Sequence, residues 1–119
     1  MIPQAADVII GHLIANNYLN EERFARSFAW GKHRVKQWGK IRIVNELKAR
    51  KISKYNIDAA LSEIKQEEYV PAFHALAEKE WAAMRESNLL KKKKKLFDFL
   101  MRKGYESHLI YEKISELSN

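Results

Sequence analysis

Two stretches of this chain repeat each other at an offset of 53 residues. Ile43-Val44, Leu47, Ile52, Ile57 and Leu61 correspond to Leu96-Phe97, Leu100, Tyr105, Ile110 and Ile114, so every apolar position is kept in kind. The second half of each copy spaces its residues at i, i+3, i+4 and i+7, the stripe of a helix packed on one side. One copy uses Ile57, Ala60, Leu61 and Ile64; the other uses Ile110, Lys113, Ile114 and Leu117, with Lys113 the one polar intruder. A helix–turn–helix of this size cannot bury its stripe alone, so neighbouring units must stack on it. Gly104 follows the first helix of one copy, where a left-handed cap is expected. Lys51 holds that place in the other, and must either accept a positive φ at roughly 1 kcal/mol or make a different turn.

The rest of the chain continues in the same helical period. Val8, Ile9 and Leu13 form a short stripe that stops at Asn16-Asn17. Asn20, with Glu21 and Glu22 behind it, reads as the cap of a new helix. That helix puts Phe24, Phe28 and Val35 on one side and ends before Gly39. Pro71 suits the first turn of a long helix with Val70, Phe73, Ala77, Trp81 and Met84 as its seam. Seven helices are expected, near 5–17, 20–37, 41–50, 54–65, 69–86, 89–103 and 106–117, and no strand. Only four glycines and two prolines punctuate the chain, which also disfavours an all-β fold. For the N-terminal part, a shift of 34 imitates a tetratricopeptide period, whereas a shift of 49 lays Phe24 on Phe73 and pairs the two long helices. The second fits the 53-residue interval better. The expected fold is therefore all-α, an elongated, curved array of tandem three-helix units of about 50 residues. The units are an incomplete one at 1–38, a full one at 39–87 and two helices at 88–119.

Charge is unevenly placed. The chain carries 22 basic and 15 acidic residues, a formal +7. The window from Lys32 to Lys54 holds nine basic residues against the single acid Glu46. Residues 63–86 lean acidic, and Lys91 to Lys95 are five lysines in succession. Such segregation suits a polyanionic partner or an acidic protein surface met by one face. Lysines solvating a helix surface are the plainer account, above all for the five-lysine run.

Several classes of function are excluded or disfavoured. With no cysteine there is no disulfide scaffold, thiolate catalysis or Cys-based metal site. His12, His33, His74 and His108 show no metal-ligand spacing, and no P-loop, GxGxxG or nucleophile elbow is present. Glu78 and Glu80 read as solvated helix-face acids, and the serines as caps and surface residues. No apolar run could span a bilayer and no secretory signal opens the chain. A cytoplasmic monomer, neither an enzyme nor a cofactor binder, is expected. Binding remains. Trp30, Trp38 and His33 interleave with Lys32, Arg34, Lys36 and Lys40, the combination of cations and flat rings used on single-stranded nucleic acid. Trp30 is equally compatible with core packing. A helix–turn–helix DNA reader would need Arg, Asn or Gln on its second helix, and the helices at 54–64 and 107–117 are poor in them. A protein scaffold without nucleic-acid affinity is the third possibility.

Tyr18-Leu19-Asn20-Glu21-Glu22-Arg23-Phe24-Ala25, then Gly39-Lys40-Ile41-Arg42-Ile43-Val44-Asn45-Glu46-Leu47, resembles the bacterial RecX regulators of the RecA recombinase. Leu100-Met101-Arg102-Lys103-Gly104-Tyr105 resembles the corresponding turn of their last repeat. Lys51 departs from the family's usual glycine, and the family has at least one more helix before Asp7. The chain is accordingly expected to be a C-terminal portion beginning at an introduced methionine. The resemblance implies a non-enzymatic modulator in recombination, DNA repair and the SOS response. It would lodge in the groove of a RecA–single-stranded DNA filament and suppress its activities, with direct contact to the DNA left open. Carried over to this sequence, the groove-facing residues would be Lys32, Arg34, Lys36, Trp38, Lys40 and Arg42. Arg50, Lys51, Arg102 and Lys103 would form equivalent basic turns.

Overall fold

The computed structural model describes the backbone of residues 3–119 and the side chains of residues 20–119. Six helices follow one another: α1 (Pro3–Lys36), α2 (Lys40–Ala49), α3 (Lys54–Leu61), α4 (Gln66–Ala83), α5 (Leu89–Lys103) and α6 (Ser107–Leu117). No strand occurs among the described residues. The molecule measures 75 × 24 × 21 Å. Its radius of gyration is 19.9 Å, against about 14 Å for a compact chain of this length. It is elongated, as tandem units should be.

The expected helices 5–17 and 20–37 are one. The backbone of α1 passes through Asn16, Asn17 and Asn20 without a break. Asparagine in a helix costs only about 0.7 kcal/mol against alanine, and no proline stands there to remove a hydrogen bond. Val8, Ile9 and Leu13 lie outside the described side chains. The seam of α1 also differs from expectation. Phe24 is 45% and Val35 73% exposed, while Ala25, Ala29 and His33, at i, i+4 and i+8, are buried. Close approach decides this: fully buried Ala60 on α3 accompanies Ala25 and Ala29, and a phenylalanine in that line would hold the helices apart. On α4 the buried residues are likewise spaced at i, i+4 and i+8, at Tyr69, Phe73 and Ala77.

A short clasp ties α1 to α3. Glu21 accepts the Ser53 backbone N–H at 2.7 Å, and the Ser53 hydroxyl accepts from the Asn56 N–H at 3.2 Å. The Ser53 N–H, followed by the buried Asn56 amide, holds the Glu21 carboxyl below its usual pKa. Arg26 bridges Glu22 and Glu63. The acidic pair Glu21-Glu22 is thus a clasp between helices. It caps no helix of its own.

Both repeat turns close with the same bonds. Ile52 N–H donates to Leu47 O (3.1 Å) and Lys51 N–H to Lys48 O (2.9 Å). At the 53-residue offset, Tyr105 N–H donates to Leu100 O (3.2 Å) and Gly104 N–H to Met101 O (3.0 Å). This is the double bond of a Schellman motif. Lys51 takes φ 60° and Gly104 φ 96° to make it. Ile43, Leu47, Leu96, Leu100 and Ile110 are completely buried. Lys113, inside its stripe, is 2% exposed and ion-pairs with Glu78 (2.8 Å) and Glu116 (3.3 Å). Burial pulls this ammonium down, but the hydrogen bonds to the two glutamates outweigh it and hold its pKa up.

Helices α1, α2 and α3 pack together, as do α4, α5 and α6. Each long helix packs on the two shorter ones that follow it. Helix α3 ends earlier than residue 65 and α4 begins earlier than 69, so Pro71 sits in the second turn of α4. The two groups join head to tail. Gly39 N–H, at the start of α2, donates to Lys103 O at 2.7 Å, and Ile41 N–H donates to Gly104 O at 3.0 Å. The free N–H groups of one helix thereby satisfy the free carbonyls of another.

Candidate functional site

The junction of the two units is also where the basic residues collect. Helix α1 ends at Lys36, Gln37 turns the chain at φ 60°, and Trp38 N–H returns to Lys32 O at 3.1 Å. His33 Nδ1 donates to the Trp38 carbonyl at 2.9 Å. This local fold sets the Trp38 indole, half-buried, edge-on to Phe28 with centroids 6.1 Å apart. Cations then gather on the two rings. Arg42 Cζ lies 4.1 Å from the Trp38 centroid and Lys32 Nζ 5.0 Å from it; Lys32 also stands 5.6 Å from Phe28, and Arg50 Cζ 4.8 Å from Phe28. Such contacts contribute roughly 0.5–1 kcal/mol each at exposed sites and hold long side chains in one orientation. The C-terminal end of α5 completes the cluster: Arg42 donates to Arg102 O at 3.1 Å, and Lys103 Nζ to Lys36 O at 3.0 Å.

Beneath this surface lies a polar strut. The Tyr69 hydroxyl accepts Lys40 N–H at 3.0 Å and donates to the Glu106 carboxylate at 2.9 Å. Its ring lies 5.4 Å from Tyr105, whose hydroxyl donates to Gln37 O at 3.0 Å. Burial pushes both phenols far above their usual range, so neither is an acid or base at physiological pH. Lys40 Nζ sits over the Tyr69 ring at 4.5 Å and reaches Gln66.

Of the ten residues expected from sequence, Lys32, Trp38, Arg42 and Arg50 share one cluster. Lys36, Arg102 and Lys103 are tied to its edge through backbone bonds. Lys40 stands beside Tyr69. Arg34 turns toward α4, where it pairs with Glu68 at 2.8 Å and covers Trp30 at 4.4 Å. Lys51 stands exposed at its own turn. Sequence reasoning missed Phe28, although its i, i+4 spacing to Lys32 was a usable signal. It also missed Tyr69 and Glu106, for which distance in sequence left no signal. Trp38 is not the open stacking platform its neighbours suggested, because Arg42 and Lys32 already occupy its ring. Among the described residues Glu46, paired with Arg50 at 3.0 Å, is the one acid touching the ring cluster. Fixed guanidinium and ammonium groups with so little internal neutralisation can receive phosphates or carboxylates. Among the described residues no group of His, Cys, Asp or Glu could hold a metal ion, and no helix is long and apolar enough to cross a membrane.

Fold and site together define a helical-repeat protein with a basic face at a unit junction. Residues 20–61 match the second three-helix domain of RecX and residues 67–114 the third. The chain is 31% identical over 118 residues to the regulatory protein RecX of Chlorobium phaeobacteroides, covering 95% of this chain and 72% of that one. It is 28% identical over 109 residues to the regulatory protein RecX of Bacillus cytotoxicus, covering 92% of this chain but only 40% of that relative's length. No solved structure matches it. The chain belongs to the RecX family of regulatory proteins.

Proposed function

We propose that this chain binds a RecA–single-stranded DNA filament through the Lys32–Trp38–Arg42 face and restrains the filament's activity in the cytoplasm. The observation that carries the reading is the convergence of Lys32, Arg42 and Arg50 on the Phe28–Trp38 pair at the unit junction. An elongated molecule with its cations at the joint between units suits a long, regular, acidic groove. Residues 36, 102 and 103 extend the same face. The ring-bound cations favour groove charge over base stacking as the chemistry of contact.

A sequence-reading helix–turn–helix fits less well. Asn56, the only Asn, Gln or Arg on α3, is fully buried and cannot reach a base edge.

The test is a Lys32→Gln/Arg42→Gln/Arg50→Gln variant beside Arg34→Gln, assayed for filament binding and for filament ATP hydrolysis across salt. If DNA phosphates are met directly, the triple variant should flatten the log-affinity against log-salt slope by about 2, at roughly 0.7 per contact. If an acidic protein groove is met, filament binding falls while affinity for naked DNA holds. Arg34→Gln should change little in either case. A triple variant that binds and inhibits like the parent would end the assignment.

A further inference from the structure

The five-lysine run serves no part of the junction face, and its surroundings have a different chemistry. Three of the lysines are used internally: Lys94 pairs with Asp98 (3.0 Å), Lys95 with Glu86 (3.0 Å), and Lys92 Nζ lies 4.2 Å from the Trp81 centroid. Lys91 and Lys93 have no ion-pair or ring partner among the described residues. Beside them a groove of 260 Å³ runs between α5 and α6, lined by Lys93, Lys94, Phe97, Tyr111 and Ile114. Leu90, Phe97 and Met101 stand at i, i+7 and i+11, so one face of α5 carries an apolar line with lysines along it. Leu90 and Met101 are exposed, and Tyr111 is 62% exposed. Large apolar side chains left open beside unpaired charge are an unusual use of surface.

We infer that the α5–α6 groove is a docking surface for an acidic protein segment that carries one large apolar side chain. The apolar anchor lies against the outer side of the Phe97–Tyr111 pair and Ile114, and carboxylates on its flank meet Lys91 and Lys93. Charge complementarity selects an acidic partner, and the carbon lining of the groove selects a side chain over a phosphate. Nucleic acid fits less well, since Phe97 and Tyr111 are tilted on each other, centroids 5.2 Å and planes 34° apart, and offer no flat platform to a base. The surface is separate from the junction face, so it stands or falls independently of the filament reading.

The experiment is fluorescence anisotropy on the full chain with a short fluorescein-labelled poly-aspartate peptide containing one phenylalanine. Control probes are the same peptide with serine in that place and an oligothymidylate. The phenylalanine peptide should bind, and the serine peptide about tenfold more weakly. Lys91→Gln/Lys93→Gln and Tyr111→Ala should each weaken the phenylalanine peptide about tenfold, while their circular dichroism and unfolding midpoint stay those of the parent. Lys32→Gln/Arg42→Gln, on the junction face that also receives carboxylates, should affect the two peptides alike and leave the preference for phenylalanine over serine unchanged. Equal binding of the two peptides, or none by the parent, overturns the proposal. So does a loss of oligothymidylate binding in the lysine variant as large as its loss of peptide, which would make the run part of a nucleic-acid face.

Discussion

The turn after α2 and the turn after α5 make the same two backbone hydrogen bonds, yet one is built on Lys51 and the other on Gly104. The first faces solvent: Lys51 is exposed and Ile52 behind it is half-buried. The second is covered. A Cβ added to Gly104 would land on the Cβ and backbone of Arg42, and one added to Gly39 would land on the Gly104 carbonyl and the Tyr105 amide. Tyr105, behind the turn, is fully buried against Tyr69 and Phe73. Left-handed geometry alone is therefore no demand for glycine in this fold. A lysine meets it for roughly 1 kcal/mol. The demand at Gly104 comes from another helix's backbone lying against the turn, which makes it a tertiary requirement.

The largest effect should come from treating the two turns alike. Gly104→Val combines left-handed strain of roughly 1–2 kcal/mol with overpacking of about 1–3 kcal/mol against a helix start that cannot move. A loss near 4 kcal/mol is expected in urea unfolding, enough to unfold a marginal domain. Lys51→Val should add only the extra left-handed strain of a β-branched side chain over that of the lysine it replaces, less than about 1 kcal/mol. Equal losses at the two sites would show that the junction exerts no pressure on Gly104.

How much of this was legible in advance depended on the range of the interaction. The stripes of α2, α3, α5 and α6 and the paired turns follow from period and offset, because helical spacing is local. The seam of α1 did not follow, since hydrophobicity pointed to Phe24 and Val35 while close packing chose Ala25 and Ala29. Lys113 was visible as an intruder, but its partner Glu78, read as a solvated acid, lies 35 residues away on α4. The density of charge at 32–54 located the basic face. It could not separate Arg34, which answers to Glu68, from Lys32, which answers to Trp38. The two N–H to carbonyl bonds that join α2 to α5 are made of backbone atoms and leave almost no mark in a sequence beyond two glycines.

Next in size are the matched leucines. Leu47 and Leu100 occupy the same repeat position and are both fully buried. Truncating either to alanine should cost about 3 kcal/mol, the middle of the range for lost burial plus a cavity. Leu100 lies under the junction turn and Leu47 under the open one. If the junction stiffens its surroundings, the cavity at 100 collapses less and Leu100→Ala costs more than Leu47→Ala. Paired unfolding midpoints measure the difference directly. An unchanged midpoint for either would remove that leucine from the shared core.

The smallest effect is also the sharpest on the comparison. Lys51→Gly gives the open turn the residue its twin uses. Strain relief should contribute roughly 1 kcal/mol, and the greater freedom of glycine in the unfolded chain should take back about half of it. A gain near 0.5 kcal/mol is expected, a rise of about 2–4 °C in the unfolding midpoint for a domain of this size. The reverse exchange, Gly104→Lys, cannot gain anything, because its Cβ meets Arg42 whatever the side chain beyond it does. Stabilisation at 51 with destabilisation at 104 would establish that identical hydrogen bonding conceals two different constraints. A loss of stability in Lys51→Gly would mean that the lysine stem contributes more against the end of α2 than its left-handed backbone costs.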